Sequence, residues 1–224
     1  PWDDDIDIGM NRENYDRFIR EAPSMLEKSN MFLQEYSTEK TTPFSFAKVR
    51  LNGTEFVDHG NRNVKMHRGI YIDIFPFDYA ALSPEERARQ FKKIDFWERL
   101  FICHQTPDIF VKPDSLYWWM RFIRRRIIHY VVQVVPISVI YKKINTLLRA
   151  NAAGEISGHL SDKRSLLLSR DINEDIIQLS FEGYKFPAPK SYDDYLTKLY
   201  GNYMEFPPEN ERGGHNPYVV STGE

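Results

Sequence analysis

A chain of 224 residues with 42% hydrophobic and 28% charged residues carries enough apolar material for a sizeable core, which excludes a disordered or low-complexity protein. Its single cysteine, Cys103, excludes an internal disulfide framework and fits a reducing, cytoplasmic compartment. The formal net charge of −2 gives no reason to expect a nucleic-acid partner.

The sequence opens at Pro1, without Met or a signal-peptide pattern, directly on an acidic strand over residues 2–10. That start predicts that preceding elements are missing. Asp3, Asp5 and Asp7 sit two residues apart, so in a strand they share one face while Ile6 and Ile8 pack into a core on the other. Carboxylates held close repel and raise one another's pKa unless a cation lies between them. An oxygen-only donor set suits Mg²⁺, with Mn²⁺ as substitute, and such an ion completes its shell with water and substrate phosphate. A solvated acidic strand edge is a competing reading. An EF-hand is not: its sixth and twelfth loop positions would hold Ile8 and Asn14 instead of Gly and Glu.

Asn11 is a good N-cap for an amphipathic helix through Tyr15, Arg17 and Phe18. Residues 31–36 read as a strand. Residues 44–51 and 54–57 around Asn52-Gly53 read as a hairpin with a primed turn. Residues 69–75 form the next strand, with Ile70, Ile72 and Ile74 on one face and Tyr71, Asp73 and Phe75 on the other. Packing alone explains an acid between two aromatics poorly, so Asp73 is expected to face the same metal as Asp5 and Asp7. The competing reading is a buried Asp tied to an Arg or a backbone N–H. Asp78 is expected to cap a turn. Lys48 and Arg50, on one face of their strand, and Arg68, ahead of the Asp73 strand, are candidates to hold donor phosphates, against the alternative of solvated surface charges.

Ser83-Pro84-Glu85-Glu86 opens a helix to about Cys103. Further helices are predicted over 115–134 and 137–150, broken at Pro136, and over 192–200, ending at Gly201. From Tyr117 to Ala150 there are seven basic residues and no acid, which leaves −9 on everything else. Its apolar centre, 127–140, is too short to span a bilayer. Trp118, Trp119, Arg124, Arg125 and Arg126 read as the contact face of an interfacial helix on an anionic membrane. A buried core helix with a basic solvent face fits equally. His67 and His215 read as structural, since no Cys/His spacing suggests zinc.

The layout is α+β: a core over 1–82, a basic amphipathic helical insertion over 83–175, a closing segment of the core over 176–208 and a polar tail over 209–224.

Three blocks resemble the LicD family: residues 1–10 with the helix carrying Tyr15, Arg17 and Phe18; residues 68–78; and residues 181–208 with their Phe181-Glu182-Gly183, Pro187 to Leu196, Tyr200 to Met204 and Pro207-Pro208 stretches. Nearly the whole chain is covered, residues 84–175 least. The resemblance implies a nucleotidyltransferase-like mixed sheet flanked by helices. It implies a phosphotransferase that moves a phosphorylated alcohol, phosphocholine above all, from a CDP-activated donor to a hydroxyl of a teichoic acid, lipopolysaccharide or similar cell-surface glycan. Fukutin-related protein is a distant relative. By the family pattern Asp5 and Asp7 are the metal-binding pair, Asp73 is the third carboxylate, and Asp3 lies beside them. The family also has a helix before this strand, with a Gly-containing turn and an Arg near the nucleotide, which this sequence lacks. Asp73 is the candidate catalytic base and Asp3 the second. The alternative is a non-catalytic, membrane-peripheral binding protein that keeps the fold. A glycosidase with paired carboxylates is a third reading, one without metal dependence.

Overall fold

The computed structural model describes residues 5–109, 114–152, 154, 156–161, 168–169, 175–209, 212, 215 and 217–223. It is α+β, built on strand β5 (Tyr71–Tyr79). Strand β1 (Asp7–Asn11) pairs with β5 in parallel, from Asp7 opposite Asp73 to Asn11 opposite Phe77. Strand β3 (Ala47–Leu51) pairs with it antiparallel, and β2 (Met31–Gln34) pairs with β3. Beyond Phe77, Asp78 and Tyr79 pair with β6 (Ile156–Gly158), which carries β7 (Leu168–Ser169) to complete a mixed six-stranded sheet.

The alternation along β5 sorts its residues between two faces. Ile72 and Ile74 join Leu33, Ala47 and Val49 under helix α1 (Arg12–Leu26), whose Tyr15, Phe18, Ile19 and Ala22 complete that core. Ile74 is 1% exposed, and burying a side chain of its size stabilises the fold by about 1.5–3 kcal/mol. Asn11 caps α1 by accepting from the Asn14 N–H at 2.9 Å. A second core joins Tyr36 and Ala80 to helix α2 (Pro84–Gln105) and helix α4 (Ile137–Leu148), through Ile94, Phe101, Ile140, Ile144 and Leu148. Ser83 caps α2, as expected. Helix α3 (Leu116–Val132) lies between α2 and α4 in sequence and buries only Val132.

Several expectations are corrected. Ile6 and Ile8 are 53% and 37% exposed, because α1 leaves the strand at Asn11 and only Met10 of β1 reaches the core beneath it. The chain turns at Gly53 (φ 78°), but 44–57 is no hairpin. Both edges of β3 are already bonded, to β2 and β5, so β4 (Glu55–Asp58) departs and pairs with β10 (Pro217–Ser221). The 209–224 stretch therefore holds a strand and is not a loose tail. Within 83–175, β6 and β7 extend the sheet. In 176–208, β8 (Ile176–Phe181) and β9 (Tyr184–Pro189) pair with each other, and helix α5 (Tyr192–Tyr200) buries no residue. That segment supplies nothing to either buried cluster.

Asp78 caps no turn. It is 3% exposed on the α1 face of β5, where Arg12 binds it with both ends of its guanidinium, Nε to Oδ1 at 2.7 Å and Nη2 to Oδ2 at 2.5 Å. Breaking a buried pair leaves an uncompensated charge. Asp78→Ala is expected to lower the unfolding free energy by about 3 kcal/mol in chemical denaturation. An unchanged midpoint would refute the pair's role.

Candidate active site

Three neighbouring strands lay a charged row across the face of the sheet opposite α1. Lys48 of β3 and Asp7 of β1 are both in register with Asp73 of β5. Directly paired residues on adjacent strands point to the same side. Lys48 Nζ lies 2.5 Å from Asp73 Oδ1, and Lys48 is 2% exposed. Asp5 stands just before β1, with its Oδ2 4.0 Å from Nε2 of His215. The Asp73 N–H donates to the Ile6 carbonyl at 3.2 Å, which ties the acidic segment to β5.

Aromatic rings wall this row. Lys48 Nζ sits 3.6 Å from the ring centre of Tyr71, 4.4 Å from Phe44 and 5.2 Å from Phe46. Phe75 packs against Phe46 and His159. Arg50, 1% exposed, donates from Nε to Gln34 Oε1 and from Nη1 to the Gly69 carbonyl, both at 2.6 Å, and stacks over Tyr71. Lys48 and Arg50 are therefore buried, not solvated. Arg68 is half-buried, bonding the Arg62 carbonyl at 2.9 Å and lying 3.5 Å from Glu55.

Burial sets the electrostatics of Lys48, Asp73, Arg50 and Tyr71, while Asp7 is exposed. It pushes the Lys48 ammonium down to about 8, although Asp73 opposes the shift. It pushes the Asp73 carboxyl up against the pull of Lys48, and the Arg50 guanidinium down to about 10. The Tyr71 hydroxyl rises, chiefly by burial and then through Asp58 and Asp73. Each charge thus loses more from leaving water than its neighbour returns.

Among the described residues, no three His, Cys, Asp or Glu side chains come together as a metal cage. Two carboxylate residues in register, Asp7 and Asp73, with Asp5 two residues upstream, are oxygen donors of the kind that hold Mg²⁺ together with substrate phosphate. The donor chemistry fits a hard divalent ion, with one carboxylate oxygen of Asp73 already bonded to Lys48. Asp3 lies outside the described residues.

Sequence reasoning missed Asp58, whose charge reaches Lys48, Arg50 and Tyr71 from the end of β4. It also missed the arrival of His215, which packs edge-on to Tyr71 and Phe56. Neither residue has a local signature; the β4–β10 pairing brings both.

The expected membrane arginines divide. Arg124 is exposed. Arg125 turns inward: it donates to the Ile102 carbonyl at 2.8 Å, the Thr106 carbonyl at 3.1 Å and Cys103 Sγ at 2.7 Å. Arg126 pairs with Asp108 at 3.0 Å. Arg125 in particular braces the C-terminus of α2, adding a donor to an Ile102 carbonyl that already accepts from the Thr106 N–H at 2.8 Å. Trp118 is half-buried and Trp119 is 51% exposed. On the α1 side of the sheet, a separate polar cleft is lined by Arg12, Asp16, Glu35, Tyr141 and Arg149, with Arg149 paired to Asp16 at 2.5 Å.

Fold and site together define an α+β protein with a buried Lys48 bonded to a part-buried Asp73 on its central strands and an exposed Asp7 in register beside them. The chain belongs to the LicD family: the family model described as "LicD/FKTN/FKRP, nucleotidyltransferase domain" matches residues 1–113. It is 23% identical over 223 residues to the lipopolysaccharide cholinephosphotransferase LicD of Haemophilus influenzae (strain ATCC 51907 / DSM 11121 / KW20 / Rd). The alignment covers 96% of this chain and 79% of that protein. No solved structure matches.

Asp73→Asn leaves Lys48 without its partner and is expected to cost about 3 kcal/mol of stability, which Lys48→Met in the same chain should largely restore. The loss depends on pH. The folded-state value of Lys48, about 8, lies below its ordinary 10.5, so between the two the unfolded chain holds more protons and stability rises with pH. Without Asp73 the folded value falls further, so the variant gains stability below pH 8 where wild type does not. Its deficit should shrink from pH 6 to pH 8 in denaturant titrations. A deficit that grows over that range would contradict the assignment.

Proposed function

We propose that this chain is a metal-dependent phosphotransferase on a nucleotidyltransferase-like fold. It moves phosphocholine from a CDP-activated donor to a hydroxyl of a cell-surface glycan. The observation that carries this reading is the row of Asp7, Asp73 and Lys48 on three bonded strands, with Arg50 beside it. The printed name of the Haemophilus relative, a lipopolysaccharide cholinephosphotransferase, and the description of the matching family domain support the donor group, the acceptor class and the fold. Lipopolysaccharide is accordingly the acceptor put forward first, with teichoic acid as the alternative. We place the reaction in the cytoplasm, at the inner face of the membrane.

Asp7 and Asp73, with Asp5, would hold Mg²⁺ or Mn²⁺, which when bound neutralises charge on the donor pyrophosphate. Lys48 and Arg50 place positive charge beside that position, and Arg68 adds a third cation near the β5 entrance. The aromatic walls around Lys48 favour a cation, which suits a trimethylammonium group as well as an ammonium. Asp73 takes the proton of the acceptor hydroxyl, and burial makes its carboxylate more basic than usual. The hydroxyl oxygen then bonds to the donor's choline-bearing phosphorus, the bond to the bridging oxygen breaks, and CMP leaves with the electron pair. Asp3 is the second candidate for the base.

One observation favours a second reading, a non-catalytic binding protein: Asp73 is already bonded to Lys48, and the described residues form no three-sided metal cage. Turnover decides between them. With CDP-choline, Mg²⁺ and a lipopolysaccharide acceptor, the full chain should release CMP, and chelation should stop it. Asp73→Asn should lose about 10²–10⁴-fold in rate, the usual scale for a general base. Asp7→Asn should abolish the Mg²⁺-dependent heat of CDP-choline binding in calorimetry. Full turnover by either variant would sink the proposal. Donor binding without turnover would favour the binding protein.

A further inference from the structure

Helix α3 is folded inside out for a protein in water. Leu116, Trp119, Met120, Ile123, Ile127 and Tyr130 follow one another at helical spacing, and each is between 51% and 77% exposed. One set of polar residues points the other way. Arg125, His129 and Gln133 lie four apart, facing the end of α2. Arg125 bonds the Ile102 and Thr106 carbonyls, His129 Nδ1 donates to the Cys103 carbonyl at 2.9 Å, and Gln133 donates to the His104 carbonyl at 2.8 Å. The Cys103 and His104 carbonyls at the end of α2, with the added bonds of Arg125 to the Ile102 and Thr106 carbonyls, thus draw in this polar stripe of α3 and turn its apolar stripe outward.

The flanks of the exposed stripe indicate what covers it. Residues 115–154 hold no acid, while Arg121, Arg124, Lys142 and Lys143 are exposed in a chain whose net charge is −2. A protein partner with an apolar groove would explain the stripe but not this one-signed rim. Among the described residues, no single helix is long and apolar enough to cross a membrane. Helices α3 and α4 pass that test only as a pair bent by 97°, and α4 spends its apolar face on the α2 core. The stripe therefore lies on a surface and does not span it.

We propose that α3 docks this protein in the interface of an anionic bilayer. The apolar stripe enters the acyl boundary, Trp119 and Tyr130 sit at headgroup depth, and Arg121 and Arg124 lie beside lipid phosphates. The proposal stands on the shape and charge of α3 and does not depend on the transfer reaction.

Co-sedimentation of the full chain with phosphatidylglycerol-containing vesicles and with neutral phosphatidylcholine vesicles tests it, with circular dichroism as the check on folding. Wild type should pellet with anionic vesicles at low salt and less with neutral ones. Arg121→Gln with Arg124→Gln should weaken anionic binding by about 25-fold, from about fivefold per cation lost. Ile123→Asp with Ile127→Asp should abolish binding at every salt concentration and leave the fold intact, since both positions are exposed. Failure of wild type to bind anionic vesicles at low salt would overturn the proposal, as would binding untouched by the Ile123/Ile127 pair. Light scattering without vesicles covers the remaining occupant. A wild-type dimer that the aspartate pair makes monomeric, with no vesicle binding, would assign the stripe to a second copy of the chain and also overturn it.

Discussion

Hydrogen bonding along both edges of β5 is the constraint on which the rest of this structure depends. One nine-residue strand bonds β1, β3 and β6, so its alternation is imposed on every neighbour. Even-numbered positions face α1: Ile72 and Ile74 enter its core, and Asp78 meets Arg12 at its first turn. Odd-numbered positions face away, and Tyr71, Asp73 and Phe75 form the floor of the candidate site. Two acids five residues apart on one strand therefore have opposite roles. Asp78 locks a helix to the sheet, while Asp73 sits in the charged row of the candidate site. A slip of one residue in β5 would exchange them.

The site pays for its position in desolvation. Lys48, Arg50 and Asp73 all hold pKa values displaced in the direction that burial dictates, despite lying within reach of one another. Preorganised charge in a water-poor setting is what phosphoryl transfer uses, because fixed groups need not reorganise as charge moves onto the phosphate oxygens. The aromatic walls contribute to both sides of this balance. They exclude water and so raise the cost of charge, and their ring faces return part of it to the cations they contact.

Position along the chain separates the candidate site from helix α3. Asp5, Asp7, Lys48, Arg50, Asp58 and Asp73 all fall within the family match over residues 1–113. Helix α3 begins at Leu116, just past it. The link between the two parts is the end of α2, where Arg125, His129 and Gln133 bond the Ile102, Cys103, His104 and Thr106 carbonyls. That requirement fixes the rotation of α3 about its axis, and with it which face the molecule presents outward.

The local patterns of the sequence suffice for the elements whose causes are local. The Ile70/Ile72/Ile74 alternation assigns both faces of β5, Asn11 and Ser83 mark two helix starts, Gly201 marks a helix end, and Pro136 separates α3 from α4. The family is legible for the same reason, since its signature blocks are contiguous. Partnerships between distant segments are not legible. Asn52-Gly53 makes a turn, but whether two strands pair depends on which edges are free, and β2 and β5 had taken both edges of β3. In residues 209–224 only the short Tyr218-Val219-Val220 run favours a strand, and its partner, the β4 edge, lies far away in sequence. The side of Asp78 follows from the length of β5, which continues through Pro76 only because β1 and β6 bond its far half. The fate of Arg125 follows from the carbonyls of another helix. Residue type and spacing determined which groups can act in this protein, and the tertiary hydrogen bonds decided which of them meet, because each strand edge can pair with only one neighbour.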